Sequence, residues 1–338
     1  MSTVINNSVY FYPDMKSMQS PNSNQLPKVL VLGTGGTIAG VATEHPAQGG
    51  YRAAALDVSQ LVAAAPGIER LAVLQAEQLA SLDSKDMRAH VWSLLARRIA
   101  PWLAQPDVAG CVITHGSDTL EETAYFLQCV LPAGKPVVLT AAMRPATALS
   151  ADGPRNLYDA VQVAASAEAV GRGVLCVVHG RVHGACDVTK AHPTAVDAFS
   201  SGERGPLGFA GSQGVLFTRS IPASSDPRPL PLPQAQPWPR VELVGSHASA
   251  DGAVVRALLA ASARGDLAPP LAGLVVQGTG GGTVHEDLQQ ALDEAETAGV
   301  RVAYGSRIGA LLGGPYDGLN AVKIRVRLML ELAAAGAH

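Results

Sequence analysis

The chain has no run approaching the ~20 apolar residues that a membrane-spanning helix requires, so no membrane span is expected. It also lacks an excess of either charge. Its 25 Lys and Arg stand against 28 Asp and Glu, a net charge of −3, which gives no reason to expect nucleic acid or an anionic membrane as partner. Aromatic residues make up only 4%, so the bulk of any core comes from Ala, Val and Leu. Cysteine is confined to Cys111, Cys129, Cys176 and Cys186, without a C-x-x-C pair. Two of them lie inside apolar strand-like runs, so buried free thiols are expected rather than disulfides. The G-x-S-x-G elbow, the H-E-x-x-H pair and the P-loop are all missing. A dinucleotide fingerprint opens at Gly33 and Gly35 but fails at Ile38, where a third glycine is required. His179, His183, Cys186 and His192 are of metal-ligating types, yet the first two straddle a probable strand end instead of sharing a helical face; no metal is expected. Met1 to Pro27 is polar and has no apolar signal core, so residues 1–27 read as a disordered tail and the cytoplasm as the location.

What is present is a long, apolar, sparsely charged chain: 338 residues, 47% apolar and 16% charged, enough for two domains and a substantial core. Strand-like runs at Val29–Leu32, Gly110–Thr114, Pro136–Ala142, Gly173–Val178, Val241–Val244, Gly273–Gln277 and Val300–Tyr304 alternate with helix-like segments. That alternation predicts parallel βαβ units and an α/β fold. Helices are expected after Ser84, after Asp152 with Pro154 in its first turn, from His285 onward, and after Asn320. Ile221 to Arg240 is dense in proline and reads as an extended, semi-rigid linker. The expected organisation is therefore a larger α/β catalytic domain over 28–220, the linker over 221–240, and a smaller α/β domain over 241–338.

Chemistry is expected where glycine-rich turns follow buried strands. Lys28 to Gly40 reads KVLVLGTGGTIAG: an apolar run stops at Gly33, and Gly35 and Gly36 let the backbone turn and leave its N–H groups uncovered. Ligands of open α/β sheets bind at the carboxyl ends of strands, which puts the hydroxyls of Thr34 and Thr37 in position. A hydroxyl beside free backbone N–H groups is the equipment of acyl transfer, although a purely structural turn has the same pattern. Val112 to Leu127 repeats the arrangement, with Ser117 and Asp118 just past Gly116. There Asp118 with Glu121, or Thr119 with Glu122, also spells an ordinary capping box. Lys190, in Asp187-Val-Thr-Lys, is either an exposed cation or a site residue. As a site residue it acts as a base only if burial or a like charge removes its proton; otherwise it is a fixed positive charge that makes a nearby hydroxyl more acidic. The run Gly278 to Thr283 is either a cover over a ligand or a tight βα turn.

Taken together, TGGTIAG at 34–40, ITHGSDTLEETAYFL at 113–127, AMRP at 142–145, SADGPRNLYDA at 150–160 and DVTK at 187–190 resemble the bacterial L-asparaginase family, of the type II-like branch that includes glutaminase-asparaginases. The resemblance runs from about Val29 to Arg219 and weakens beyond. It implies a two-domain α/β fold with a flavodoxin-like smaller domain, a homotetramer of intimate dimers, and hydrolysis of asparagine, with side activity on glutamine, without a cofactor. Carried over residue by residue, it implies Thr37 as nucleophile and Tyr51, in a mobile loop over Val41–Arg52, as its partner. Ser117, Asp118 and Lys190 correspond to a second triad. Asp118 would also meet the substrate's α-ammonium group and Ser84, beside Lys85, its α-carboxylate. Gly36 and Gly116 would line the substrate, and the carbonyl of Ala142 would meet the leaving amide. Ser117 stands where the family usually has Thr, Lys85 where Gln or Glu is common, and Gly281 where an Asn is frequent. Ser306–Leu319 is short and lacks the acidic residue that a partner subunit usually contributes. The alternatives are a related amidohydrolase, such as a subunit of a tRNA-dependent amidotransferase, or a catalytically weak amino-acid binding protein.

Overall fold

A computed structural model describes residues 26–42, 50–220, 229–234, 236–309 and 314–336. Its main sheet contains β1 (Lys28–Gly35), β4 (Val73–Leu82), β5 (Val108–Thr114), β6 (Val137–Thr140), β7 (Val174–Val178), β8 (Arg181–Gly184), β11 (Gly208–Gly211) and β12 (Gly214–Phe217). They are ordered β12-β11-β8-β7-β6-β5-β1-β4. From β4 to β7 every pairing is parallel, and from β7 outward to β12 every pairing is antiparallel. Two small ribbons complete this part: β2 (Val41–Ala42) with β3 (Tyr51–Arg52), and β9 (Thr189–Lys190) with β10 (Phe199–Ser200). A second sheet holds β13 (Arg240–Gly245), β14 (Leu271–Gly278) and β15 (Arg301–Ser306), all parallel.

Every strand-like run expected from the sequence is a strand, and the apolar run in β1 shows why. Val29 and Val31 pack on one face of the sheet with α1 (Val58–Ala63) and α4 (Gly153–Ala164), while Leu30 and Leu32 pack on the other with α2 (Ala89–Leu103) and α3 (Leu120–Val130). A strand covered on both sides must be apolar at every position. The second sheet is likewise covered twice. On one face lie α5 (Ala253–Ala263) and α6 (Glu286–Thr297); on the other, α7 (Ala321–Ala335) lies between the second sheet and α3.

Several local expectations change. The helix expected after Ser84 begins only at Ala89, because Ser84–Asp86 form a separate 3-10 turn. Neither capping box forms at α3: Thr119 is the N-cap residue, but its hydroxyl donates to the Ser84 carbonyl at 2.7 Å. The described part of the proline-dense segment does not hang free. Leu230 donates its N–H to the Cys129 carbonyl, and Trp238 packs with Phe126 and Trp92 at centroid distances of 5.7 and 6.4 Å. The tail at 1–25, residues 221–228 of the linker, 43–49 of the Val41–Arg52 loop, and 310–313 of the short segment lie outside the described residues.

Candidate active site

The site is built where β1 and β5, hydrogen-bonded neighbours in register Gly33 to Thr114, both end in glycine turns. Gly36 adopts φ 79° and ψ −172°, a conformation essentially confined to glycine. A Cβ placed on it would lie 2.3 Å from the Gly116 Cα, and one placed on Gly116 would lie 2.5 Å from the Ser84 hydroxyl. Three backbone segments thus touch at a point where no side chain fits. Of the N–H groups in the first turn, that of Gly36 is taken by the Leu82 carbonyl at 2.9 Å, so it is unavailable for an oxyanion.

On the β1 side the two threonines separate by role. Thr34 is buried and donates its hydroxyl to the Thr114 carbonyl at 2.9 Å, tying β1 to β5. Thr37, at the start of the 3-10 turn Thr37–Ala39, instead shares a 2.7 Å hydrogen bond with the Tyr51 hydroxyl. Tyr51 is brought there by the β2–β3 ribbon, where it pairs with Ala42. Its ring also stands where a Cβ on Gly40 would fall, 2.8 Å from its Cδ2.

On the β5 side Lys190 donates to the Ser117 hydroxyl at 2.9 Å and to Asp118 Oδ1 at 2.5 Å. The lysine side chain is 16% exposed and the Asp118 side chain 52%, so the cation is sheltered while the carboxylate keeps an open edge. Ser84 is buried; its hydroxyl accepts the Asp118 N–H at 3.2 Å and its carbonyl accepts from Thr119. Lys85 is exposed and pairs with Asp86 at 2.5 Å.

Beneath the turn lies a relay that the sequence reading passed over. The Trp92 indole N–H donates to the Thr123 hydroxyl at 2.8 Å, and Thr123 is 2.9 Å from His115 Nε2. His115 Nδ1 is 2.7 Å from the Gly116 carbonyl. With its oxygen accepting from Trp92, Thr123 donates to Nε2, which leaves Nδ1–H to donate to Gly116; the ring is neutral. Burial pushes the His115 pKa down to about 4, consistent with that state. The only sequence signal was a histidine inside an otherwise apolar strand end.

The residues with metal-ligating types are engaged elsewhere. His183 is buried against the Ser201 hydroxyl at 2.8 Å, and His192 Nδ1 accepts the N–H groups of Thr194 and Ala195. Gly278 to Thr283 is a turn closed on itself, with Thr279 N–H donating to the Thr283 carbonyl and Gly282 N–H to the Thr279 carbonyl. Among the described residues Cys111, Cys129 and Cys176 are buried free thiols, Cys186 is an exposed one, and no helix is long and apolar enough to cross a membrane.

Fold and site together define an α/β protein that presents two hydroxyls at the ends of adjacent parallel strands, one paired with a phenol and one with a lysine–carboxylate couple. Residues 28–222 match the family model described as "Asparaginase, N-terminal". The chain is 39% identical to a probable periplasmic L-asparaginase of Haemophilus influenzae over 85% of this chain and 79% of that protein. It is 35% identical to the glutaminase-asparaginase of Pseudomonas fluorescens over 85% and 77%. The crystal structure of a probable cytoplasmic L-asparaginase from Campylobacter jejuni superposes with a TM-score of 0.82 at 38% identity, covering 90% of this chain and 95% of that one. The chain belongs to the asparaginase family.

Proposed function

We propose that this chain hydrolyses L-asparagine to L-aspartate and ammonia, with Thr37 as nucleophile, and hydrolyses L-glutamine as a side activity. The observation that carries the reading is the convergence of two hydroxyl pairs on one glycine contact: Thr37 with Tyr51, and Ser117 with Lys190 and Asp118. The Thr37 oxygen attacks the side-chain carboxamide carbon as Tyr51 takes its proton and passes its own phenolic proton on toward the amide nitrogen. The C–O bond forms, the C–N bond breaks, and the proton ends on the departing nitrogen, which leaves as ammonia. Water, activated beside Ser117 and Lys190, then attacks the acyl ester and returns the threonine hydroxyl. Asp118, with its open edge, receives the substrate's α-ammonium group, and Ser84 with Lys85 receives its α-carboxylate. The reaction needs no cofactor. We place the protein in the cytoplasm as a homotetramer; its relatives' names span both cytoplasm and periplasm.

The test is ammonia release from asparagine and glutamine by the purified protein beside Thr37→Ala. Wild type should turn over asparagine, and Thr37→Ala should lose at least about a thousandfold in kcat with its fold intact. Ligand-induced thermal stabilisation without turnover would indicate a binding protein instead. Activity appearing only with an added partner protein would indicate an amidotransferase subunit.

A further inference from the structure

We propose that Asp152, at the N-cap of α4, and Asn156, in its first turn, are positioning residues that hold the Ala142 carbonyl ready to accept a hydrogen bond from the leaving carboxamide nitrogen. The inference rests on the asparagine-hydrolysis reading above. Both side chains are buried, at 9% and 1% exposure, and both surround the Ala141–Arg144 segment that follows β6. Asp152 accepts the Met143 N–H through Oδ2 and the Arg144 N–H through Oδ1, each at 2.9 Å. Asn156 donates to the Ala141 carbonyl at 2.9 Å and to Asp152 Oδ2 at 3.2 Å, and accepts the His179 N–H at 2.9 Å. Asp152 is the N-cap residue of α4, yet its side chain makes no cap hydrogen bond; both oxygens serve the 143–144 backbone.

The direction of the Ala142 carbonyl follows. In a trans peptide the C=O and the next N–H point opposite ways. Because Asp152 holds the Met143 N–H, the Ala142 C=O is turned away from Asp152 and α4. Ala142 is fully buried, and among the described residues no hydrogen bond reaches its carbonyl. A buried, unpartnered acceptor is uncommon in a folded chain, and here the Ala141 carbonyl on one side of it and the Met143 and Arg144 N–H groups on the other are held by the Asp152–Asn156 pair. A nitrogen gaining a proton as its C–N bond breaks becomes a stronger donor, so an acceptor fixed beside it favours the transition state over bound substrate.

This makes a distinction by leaving group. A carboxamide has N–H groups to donate; the β-methyl ester of L-aspartate does not. With Asp152→Asn, which keeps volume but turns one acceptor into a donor, and with Asn156→Ser, kcat on asparagine should fall at least about tenfold with KM within about threefold, while kcat on the ester changes less than about threefold. Equal changes on amide and ester, in either direction, would overturn the proposal. Should Asn156→Ser fail to fold by circular dichroism, Asp152→Asn decides alone. Wild type that releases no ammonia, or Thr37→Ala that matches it, would sink the functional reading itself before any variant is compared.

Discussion

Thr34 and Thr37 carry the same hydroxyl three residues apart, and their hydrogen bonds divide their work. Thr34→Val should leave the Thr114 carbonyl without its donor and cost about 1–3 kcal/mol in urea unfolding, while asparagine turnover stays near wild type; a Thr34→Val variant as inactive as Thr37→Ala would mean the roles are shared. The sequence offered both threonines equally, because nothing in GTGGT at 33–37 says which hydroxyl faces a neighbouring carbonyl. Tyr51, Ser117, Asp118 and Lys190 were legible through the resemblance, but His115 and Asn156 were not, since their importance lies in which backbone group each touches. His115 and His183 also predict an acid response. Burial pushes both pKa values down to about 4, below the ordinary value of about 6.5. Between those values the unfolded chain binds more protons than the folded one, so stability rises with pH through that window and is lost as pH falls from about 6.5 to about 4. Each histidine contributes about 3 kcal/mol to that loss. Thermal melts from pH 7 to 4 should show it, and His183→Gln should flatten the slope; an unchanged slope would place the acid sensitivity elsewhere.

At the scale of elements, β1, β5, β6, β7 and β14 were legible from nearly unbroken apolar runs buried on both faces, and the partly exposed β13 and β15 from shorter apolar clusters. β4 was not, because it lies at the sheet edge and its residues are mostly half-exposed; its Gln and Glu hide any period. β8, β11 and β12 were also missed, being only four residues each, too short for a period to emerge. The capping box misled for a different reason: local spacing allowed it, and a tertiary partner, the Ser84 carbonyl, took the Thr119 hydroxyl. The glycine turns were read correctly as special, but the sequence could not say that two of them press together. Gly36→Ala tests that contact. Its φ and ψ are confined to glycine and the new methyl meets the Gly116 backbone, so the substitution should cost roughly 2–4 kcal/mol and remove most turnover. Scanning calorimetry and ammonia release on the same sample measure both. A fully stable, fully active Gly36→Ala would show that the turn relaxes and that the close approach is dispensable.

Across the whole molecule, the smaller sheet is joined to the segment that leads into Lys190 through a buried lysine. Lys323 of α7 is 1% exposed, and its ammonium donates to the Cys186 carbonyl at 2.9 Å and to the Val188 carbonyl, two residues before Lys190. Glu121 of α3 lies 3.9 Å away, held in turn by Asn320 Nδ2 at 2.8 Å. A helix packed on the second sheet thereby holds the chain leading into Lys190, so the two sheets are tied together even though the sequence places a proline-dense segment between them. Lys323→Met keeps the length and removes the donors. It should cost about 2–4 kcal/mol, because two buried carbonyls and one carboxylate lose their partner, and it should lower kcat by loosening Lys190. The lysine also has a pH signature, since burial holds its pKa below the ordinary value. Between the lowered value and about 10.4 the unfolded chain binds the extra proton, so wild-type stability gains with rising pH where the methionine variant has no such group. Urea unfolding of both proteins at pH 7 and pH 10 should therefore show the gap between them widening at the higher pH. A gap that is absent at both, with kcat intact, would mean that α7 merely packs against the larger sheet and plays no part in aligning Lys190.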